Sequence, residues 1–279
     1  MSKQQKMHES VVRDLDSNRL QLPTLPAVAL KIRDELQKSD CNVRTVSDVI
    51  TTDTAMSAKL LQVVNSPLYR SSNAIDNIKT AVTRLGFTQV KNLVTSLALN
   101  QMFHSTNYIL NQLLQENWNH SARVAAIAAV LSNKVKSTTK DQAVLAGLVH
   151  DIGKLPLIVH AEKIPDLVSD SGSLRNLIET LHNDVGGHVL RSWNFTPELV
   201  DVATYHENTD FVHDGNTGYL DLIIVANCLS YHGTKHPMAG KDFSDSPSFK
   251  RLGIPGDASF IEDEDNATAI AEVESVLTF

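Results

Sequence analysis

The chain has 279 residues, enough for one large domain or two modest ones with a full hydrophobic core. Apolar residues at 42% and charged residues at 20% are ordinary globular usage and exclude global disorder, and a net charge of −7 argues against a direct grip on duplex phosphates. Two cysteines, Cys41 and Cys228, exclude a disulfide framework and a CxxC metal site, and both read as small core residues.

No stretch alternates like a strand, while helical spacing recurs almost everywhere, so the expectation is all-α. The start, MSKQQKMHESVVRDLDSNR, is polar and lacks the apolar segment of a signal peptide; residues 1–20 read as a leader helix. No later run reaches the about 18 apolar residues a membrane span needs, so the chain is read as cytoplasmic with no membrane contact. Pro26 opens a helix to about Gln37, with Val28, Ile32 and Leu36 on one stripe. A short helix spans Thr45–Thr51. Asp53 or Thr52 caps the next, with Ala55, Leu60, Leu61 and Val64 on its buried side and Asn65-Ser66-Pro67 as its end. A loop, YRSSNAI, leads to a helix at Asn77–Leu85 stopped by Gly86, and Thr88 caps a longer one to about Phe103. The first helical part, 21–107, ends near Asn107.

The second part, 108–232, opens with a helix from about Ile109 to Val135. Thr139 with Gln142 forms a capping-box pattern for the helix carrying AVLAGLVHDIGK. Further helices are expected at Glu162–Ser169, Ser173–His182, Asp184–Trp193 and Pro197–Glu207, the last capped by Thr196. Residues 219–231, YLDLIIVANCLSY, are the most apolar helix and therefore central. Residues 233–262 are rich in Gly, Pro, Ser and Asp and read as loop; NATAIAEVESVLTF closes the chain as an acidic helix.

The sharpest chemical signal is His150-Asp151 in LVHDIGKL. Two adjacent ligands reach one ion only where the helix ends or bends, which Gly153 permits, and Lys154 places a positive charge beside any bound phosphate. The plainer reading is a polar helix C-terminus, where His is favoured in any case. His120 shares a stripe with Val124, Ile127 and Leu131, and His206 follows the apolar face of Leu199, Val202 and Ala203, so both imidazoles face inward. His182, at a helix terminus, could join them. Imidazole and carboxylate ligands between facing helices suit Fe, Mn or Zn.

At this point the residues resemble a known family. The order H…HD…H…H on successive helices is similar to the HD phosphohydrolase superfamily. LPTLPAVALKI, TTDTAMSAKLLQVVNSPLY, IKTAVTRLGFTQVKNLVTSLAL, AVLAGLVHDIGKL and HNDVGGHVLRSWNFTPELVDVATYHEN resemble its HD-related output domain, HDOD, from about Leu22 to Tyr231. The resemblance implies two packed helical lobes, the second an HD-type bundle, and a bacterial signalling or regulatory role. It places His120, His150, Asp151, His182 and His206 at metal-ligand positions. Two departures stand out. The final Asp of the superfamily is Asn227 here, a neutral amide. The Gly-Tyr-Pro motif of the phosphodiesterase branch is met only by Gly218-Tyr219-Leu220, at too long an interval from His206.

Three readings follow. The first is a regulatory module with a degenerate site, its metal weak or absent, partnered by signalling proteins and by input from a separate protein. The second is a phosphohydrolase of nucleotides or cyclic dinucleotides, with Asp151 and Lys154 as catalytic groups. In the third, the histidines are structural and satisfied by Asp151 or Asn227.

Overall fold

The computed structural model describes Arg13, residues 20–66, Tyr69 and residues 74–278. The expected leader helix falls almost entirely outside these residues. The described residues contain helices and turns and no strand.

Five helices form the N-terminal layer: α1 (Ala27–Leu36), α2 (Val43–Thr51), α3 (Thr54–Val64), α4 (Ile78–Leu85) and α5 (Phe87–Leu99). Their starts follow local chemistry. Asn42 caps α2 reciprocally with Thr45, Asp53 accepts from the Met56 amide to cap α3, and Asn77 accepts from the Thr80 amide to cap α4. Gly86, at φ 79°, ends α4 and begins α5; the left-handed region is open to glycine at little cost. Thr88 therefore lies inside α5 and is not its cap. The buried face of α3 is also rotated from expectation: Met56, Leu60, Val63 and Val64 are buried, while Ala55 is exposed.

The bundle begins with α6 (Tyr108–Leu131), capped by Asn107, and a short 3-10 turn follows at Ser132–Lys134. Then come α7 (Lys140–Val149), α8 (Lys154–Ala161), α9 (Pro165–Ser169), α10 (Ser171–Ser192), α11 (Pro197–Tyr205) and α12 (Tyr219–Ser230). Every residue of α12 is buried, as its composition requires. Thr139 makes no side-chain cap; its amide donates to the Tyr219 hydroxyl, so α7 is seated by a distant helix and not by a capping box. The stretch Lys140–Ala161 is apolar and long enough by composition to cross a membrane, yet it folds as two helices and 83% of its apolar window is buried inside the protein.

Residues 171–192 form one continuous helix where two were expected. Asp184 does not stop it; just beyond, Gly186 and Gly187 pack closely against their neighbours, and Asn183 donates to Glu207 Oε2 at 3.1 Å. After α12 the expected loop contains α13 (Pro247–Leu252) and α14 (Ser259–Glu262), and α15 (Glu264–Leu277) closes the chain. Pro247 starts α13 in the first turn, where its missing N–H costs nothing. The last helix lies on α6: Trp118 Nε1 donates to Leu277 O at 3.0 Å, and Arg123 pairs with Glu274 at 2.8 Å.

The N-terminal layer meets the bundle along α5 and α7. Buried Asn92 donates to Asp141 Oδ2 at 2.6 Å and Gln142 Oε1 at 2.8 Å, and Arg33 donates to Trp193 O at 2.6 Å.

Candidate metal centre

Five elements deliver the site. His120 lies in the middle of α6; His150 and Asp151 cap and follow α7; Lys154 opens α8; His182 lies in the middle of α10; His206 caps α11. His182 is thus a mid-helix residue, not a terminal one, and reaches the centre because α10 does not break.

Gly153 earns its place by contact. Its backbone is helical, and a Cβ there would stand 2.0 Å from His182 O and 2.5 Å from Gly186 N. Any side chain would push α10, and His182 with it, away from Asp151. Gly147 does the same on the other side, where a Cβ would meet Ala125 Cα at 2.3 Å and separate α7 from α6. The bend expected of Gly153 is therefore secondary to close helix packing.

The side chains converge on Asp151. His206 Nε2 stands 3.3 Å and His182 Nε2 3.4 Å from Oδ1; His150 Nε2 stands 3.5 Å and His120 Nε2 3.6 Å from Oδ2. Lys154 Nζ lies 2.8 Å from Oδ2, and its other neighbour is Glu179 at 3.6 Å. His150, Asp151, His182 and His206 are buried, and His120 is the most exposed of the set.

Three imidazoles are oriented in one way. His150 Nδ1 donates to Gly147 O at 2.6 Å, His182 Nδ1 to Ile178 O and Glu179 O at 3.0 Å each, and His206 Nδ1 to Val202 O at 3.2 Å. A carbonyl only accepts, so each Nδ1 carries the proton and each Nε2 turns a lone pair to the centre. His120 is held differently. Its ring stacks on Tyr231 (5.1 Å, 17°), which in turn stacks on His236 (3.7 Å, 13°).

Electrostatics agree with neutral imidazoles around one anion. Burial pushes His120 down to about 4 and holds His150 and His182 below the usual imidazole range. Burial opposes ionisation of Asp151, but the Lys154 ammonium and the surrounding imidazoles hold its carboxyl well below the usual range. Asp151 Oδ2 is taken by the Lys154 ammonium, while Asp151 Oδ1, His182 Nε2 and Asn227 Oδ1 are buried without a formed hydrogen bond. Buried polar atoms ordinarily find partners. Three unsatisfied acceptors in one place, with nitrogen and carboxylate ligand atoms within 4.8 Å of one another in trios, fit a divalent transition ion.

An open cleft of about 1180 Å³ is lined by His120 and Lys154 of this centre, together with Tyr231, His236, Arg175 and Lys235. Tyr231, His236, Glu179 and Glu207 were not singled out by sequence reasoning. Tyr231 lies four residues after Asn227 and so shares its helix face, a signal that was present in the spacing. Glu207 adjoins His206, but only the fold turns it toward His182, 3.7 Å away.

The family model for the HDOD domain matches residues 22–209. An uncharacterised protein of Treponema pallidum is 24% identical over 223 residues, 74% of this chain; the chain spans only 41% of the length of that relative. A crystal structure of a candidate metal-dependent phosphohydrolase from Shewanella amazonensis SB2B is similar over 99% of this chain and 100% of that one, with 29% identity and a TM-score of 0.89. An HDOD domain protein of unknown function from Geobacter sulfurreducens shares the fold at 20% identity, with a TM-score of 0.68 over 98% of this chain and 97% of that one. With two thirds of its length matched by the family model and an all-helical architecture to go with it, this chain belongs to the HDOD domain family.

Proposed function

We propose that the protein is an HDOD regulatory module of the cytoplasm whose His–Asp cluster is a degenerate HD-type metal site, and that it acts by binding signalling proteins. The two lobes, 21–107 and 108–232, would form its working unit. One observation carries this reading: Asn227 Oδ1 lies buried and unpartnered where the superfamily has a carboxylate. A neutral amide contributes no charge to hold a dication, so affinity falls and turnover with it. His120, His150, Asp151, His182 and His206 would hold the ion, Fe, Mn or Zn. Titration calorimetry of the purified protein against candidate partner proteins tests the proposal, beside a turnover assay with nucleotides and cyclic dinucleotides. Binding without turnover is expected; steady-state turnover with no partner bound would overturn it.

A second reading, a phosphohydrolase of nucleotides or cyclic dinucleotides, is favoured by the cleft and by Lys154 in its lining. The name of the Shewanella relative is consistent with it. A divalent ion in such a site supplies Lewis acidity toward a phosphoryl oxygen. Asp151 would accept a proton or hold the ion, its charge kept by Lys154 at 2.8 Å. The Lys154 ammonium would offset phosphoryl charge, and the cleft basic groups would orient the ester.

A further inference from the structure

The four imidazoles of the centre are not held alike. His150, His182 and His206 each donate from Nδ1 to a backbone carbonyl one turn earlier, and all three are buried. Among the described residues no backbone carbonyl anchors His120, whose side chain is 20% exposed. Stacking fixes its ring plane instead: Tyr231 lies 5.1 Å away at 17°, and His236 lies 3.7 Å from Tyr231 at 13°.

Tyr231 ends α12, and the turn after it holds His236 in place. Gly233, at φ 75°, takes the left-handed conformation that this turn needs. Thr234 donates to Tyr231 O from its amide at 3.0 Å and from its hydroxyl at 2.6 Å, and that hydroxyl accepts from the His236 amide at 3.2 Å. The Met238 amide donates to His236 Nδ1 at 3.3 Å, which fixes the plane of this ring too. The stack thus runs along one cleft from an exposed ring, through a half-buried one, to the centre. Tyr231 and this turn lie beyond residues 22–209, which the family model matches.

We propose that Tyr231 and His236 are positioning residues for His120: the turn after α12 sets the plane of the one imidazole without a backbone anchor, and so governs how well it meets an ion beside Asp151. His120 Nε2 stands 3.6 Å from Asp151 Oδ2 and 3.3 Å from His150 Nε2, so a small rotation of its ring opens or closes that trio. A metal-bound imidazole is ordinarily oriented by a hydrogen bond to its other nitrogen; at His120 ring stacking takes that part. Coupling is reciprocal, so an ion held by His120 also steadies the turn. The inference rests on reading the cluster as a weak metal site and adds the element that tunes it.

Cobalt(II) alone is the probe, titrated into the full chain by calorimetry, with circular dichroism as the check on folding. Wild-type protein is expected to bind weakly but measurably. Tyr231→Leu, which has no ring face, is expected to weaken binding about tenfold, and Tyr231→Phe, which keeps the ring, to recover it. His236→Ala, at an exposed position, is expected to weaken binding by a smaller factor. It carries the comparison should Tyr231→Leu fold poorly. In a His120→Ala background, Tyr231→Leu is expected to have no further effect, whereas a merely structural role would still cost affinity. Wild-type affinity in both Tyr231→Leu and His236→Ala, or additive losses in the double variant, overturns the positioning role and leaves the metal reading intact. Wild-type protein that takes up no cobalt overturns both.

Discussion

The N-terminal layer and the bundle are built from the same helical periodicity, yet they treat buried polar groups differently. In the layer, Ser47 donates to Val43 O, Ser66 to Val63 O, and Glu35 pairs with Lys38 at 2.6 Å, all within four residues. Among the described residues the orphans there are single hydroxyls, of Tyr69 and Ser96, which carry no charge when buried. In the bundle, a carboxylate and four imidazoles arrive from four separate elements and leave ionic or basic atoms without partners. Local satisfaction is what a scaffold needs; unsatisfied convergence costs stability and persists where something else completes it.

The contrast is sharpest at Asp151. In the metal-free protein, Asp151→Ala leaves the Lys154 ammonium facing inward without its main partner and should cost about 3–5 kcal/mol in urea unfolding. It should also abolish metal uptake. A variant as stable as wild type would show that the pair is energetically idle. Ile50→Ala, in the fully buried core of the layer, should cost about 2–5 kcal/mol through the cavity it leaves, while cobalt affinity stays unchanged. Altered affinity in that variant would mean the two regions are not separable.

The regions should also part in their response to acid. His120, His150 and His182 are depressed in the folded chain, so below about pH 6.5 the unfolded chain binds more protons than the folded one. Their stabilising contribution is complete above that pH and is lost as pH falls toward about 4, the value to which His120 is pushed. Urea midpoints of metal-free protein between pH 7 and about pH 4 should fall steadily. A flat profile would mean that these imidazoles titrate alike in the folded and unfolded chain.

Asn227→Asp returns a carboxylate to the centre and should tighten metal binding about tenfold, read by calorimetry. Unchanged affinity would remove the argument from the missing charge. The smallest effect is expected at Asn42→Ala, which deletes the reciprocal cap of α2 and should cost about 1 kcal/mol with no change in metal uptake.

Much of this was legible in the residues. The helical class, the cap at Asp53 (one of two candidates there), the stop at Gly86 and the inward faces of His120 and His206 all follow from local spacing and side-chain chemistry. The capping box expected at Thr139, the helix break expected at Asp184 and the loop expected over 233–262 do not match the fold. Each depends on a partner far along the chain: Tyr219 for Thr139, the close approach of Gly153 for the continuous helix around His182, and packing near Asp221 for Ser248 in α13.

By itself, then, the order of residues determined that helices form, which of their faces are apolar, and that histidines and one aspartate ride on those faces, because these are matters of periodicity over a few residues. Only the tertiary structure decided that four Nε2 atoms meet one carboxylate, that Lys154 takes Oδ2, and that Glu207 turns toward His182. Such meetings depend on how closely helices approach, and glycines such as Gly147 and Gly153 set that distance through contacts no local pattern records.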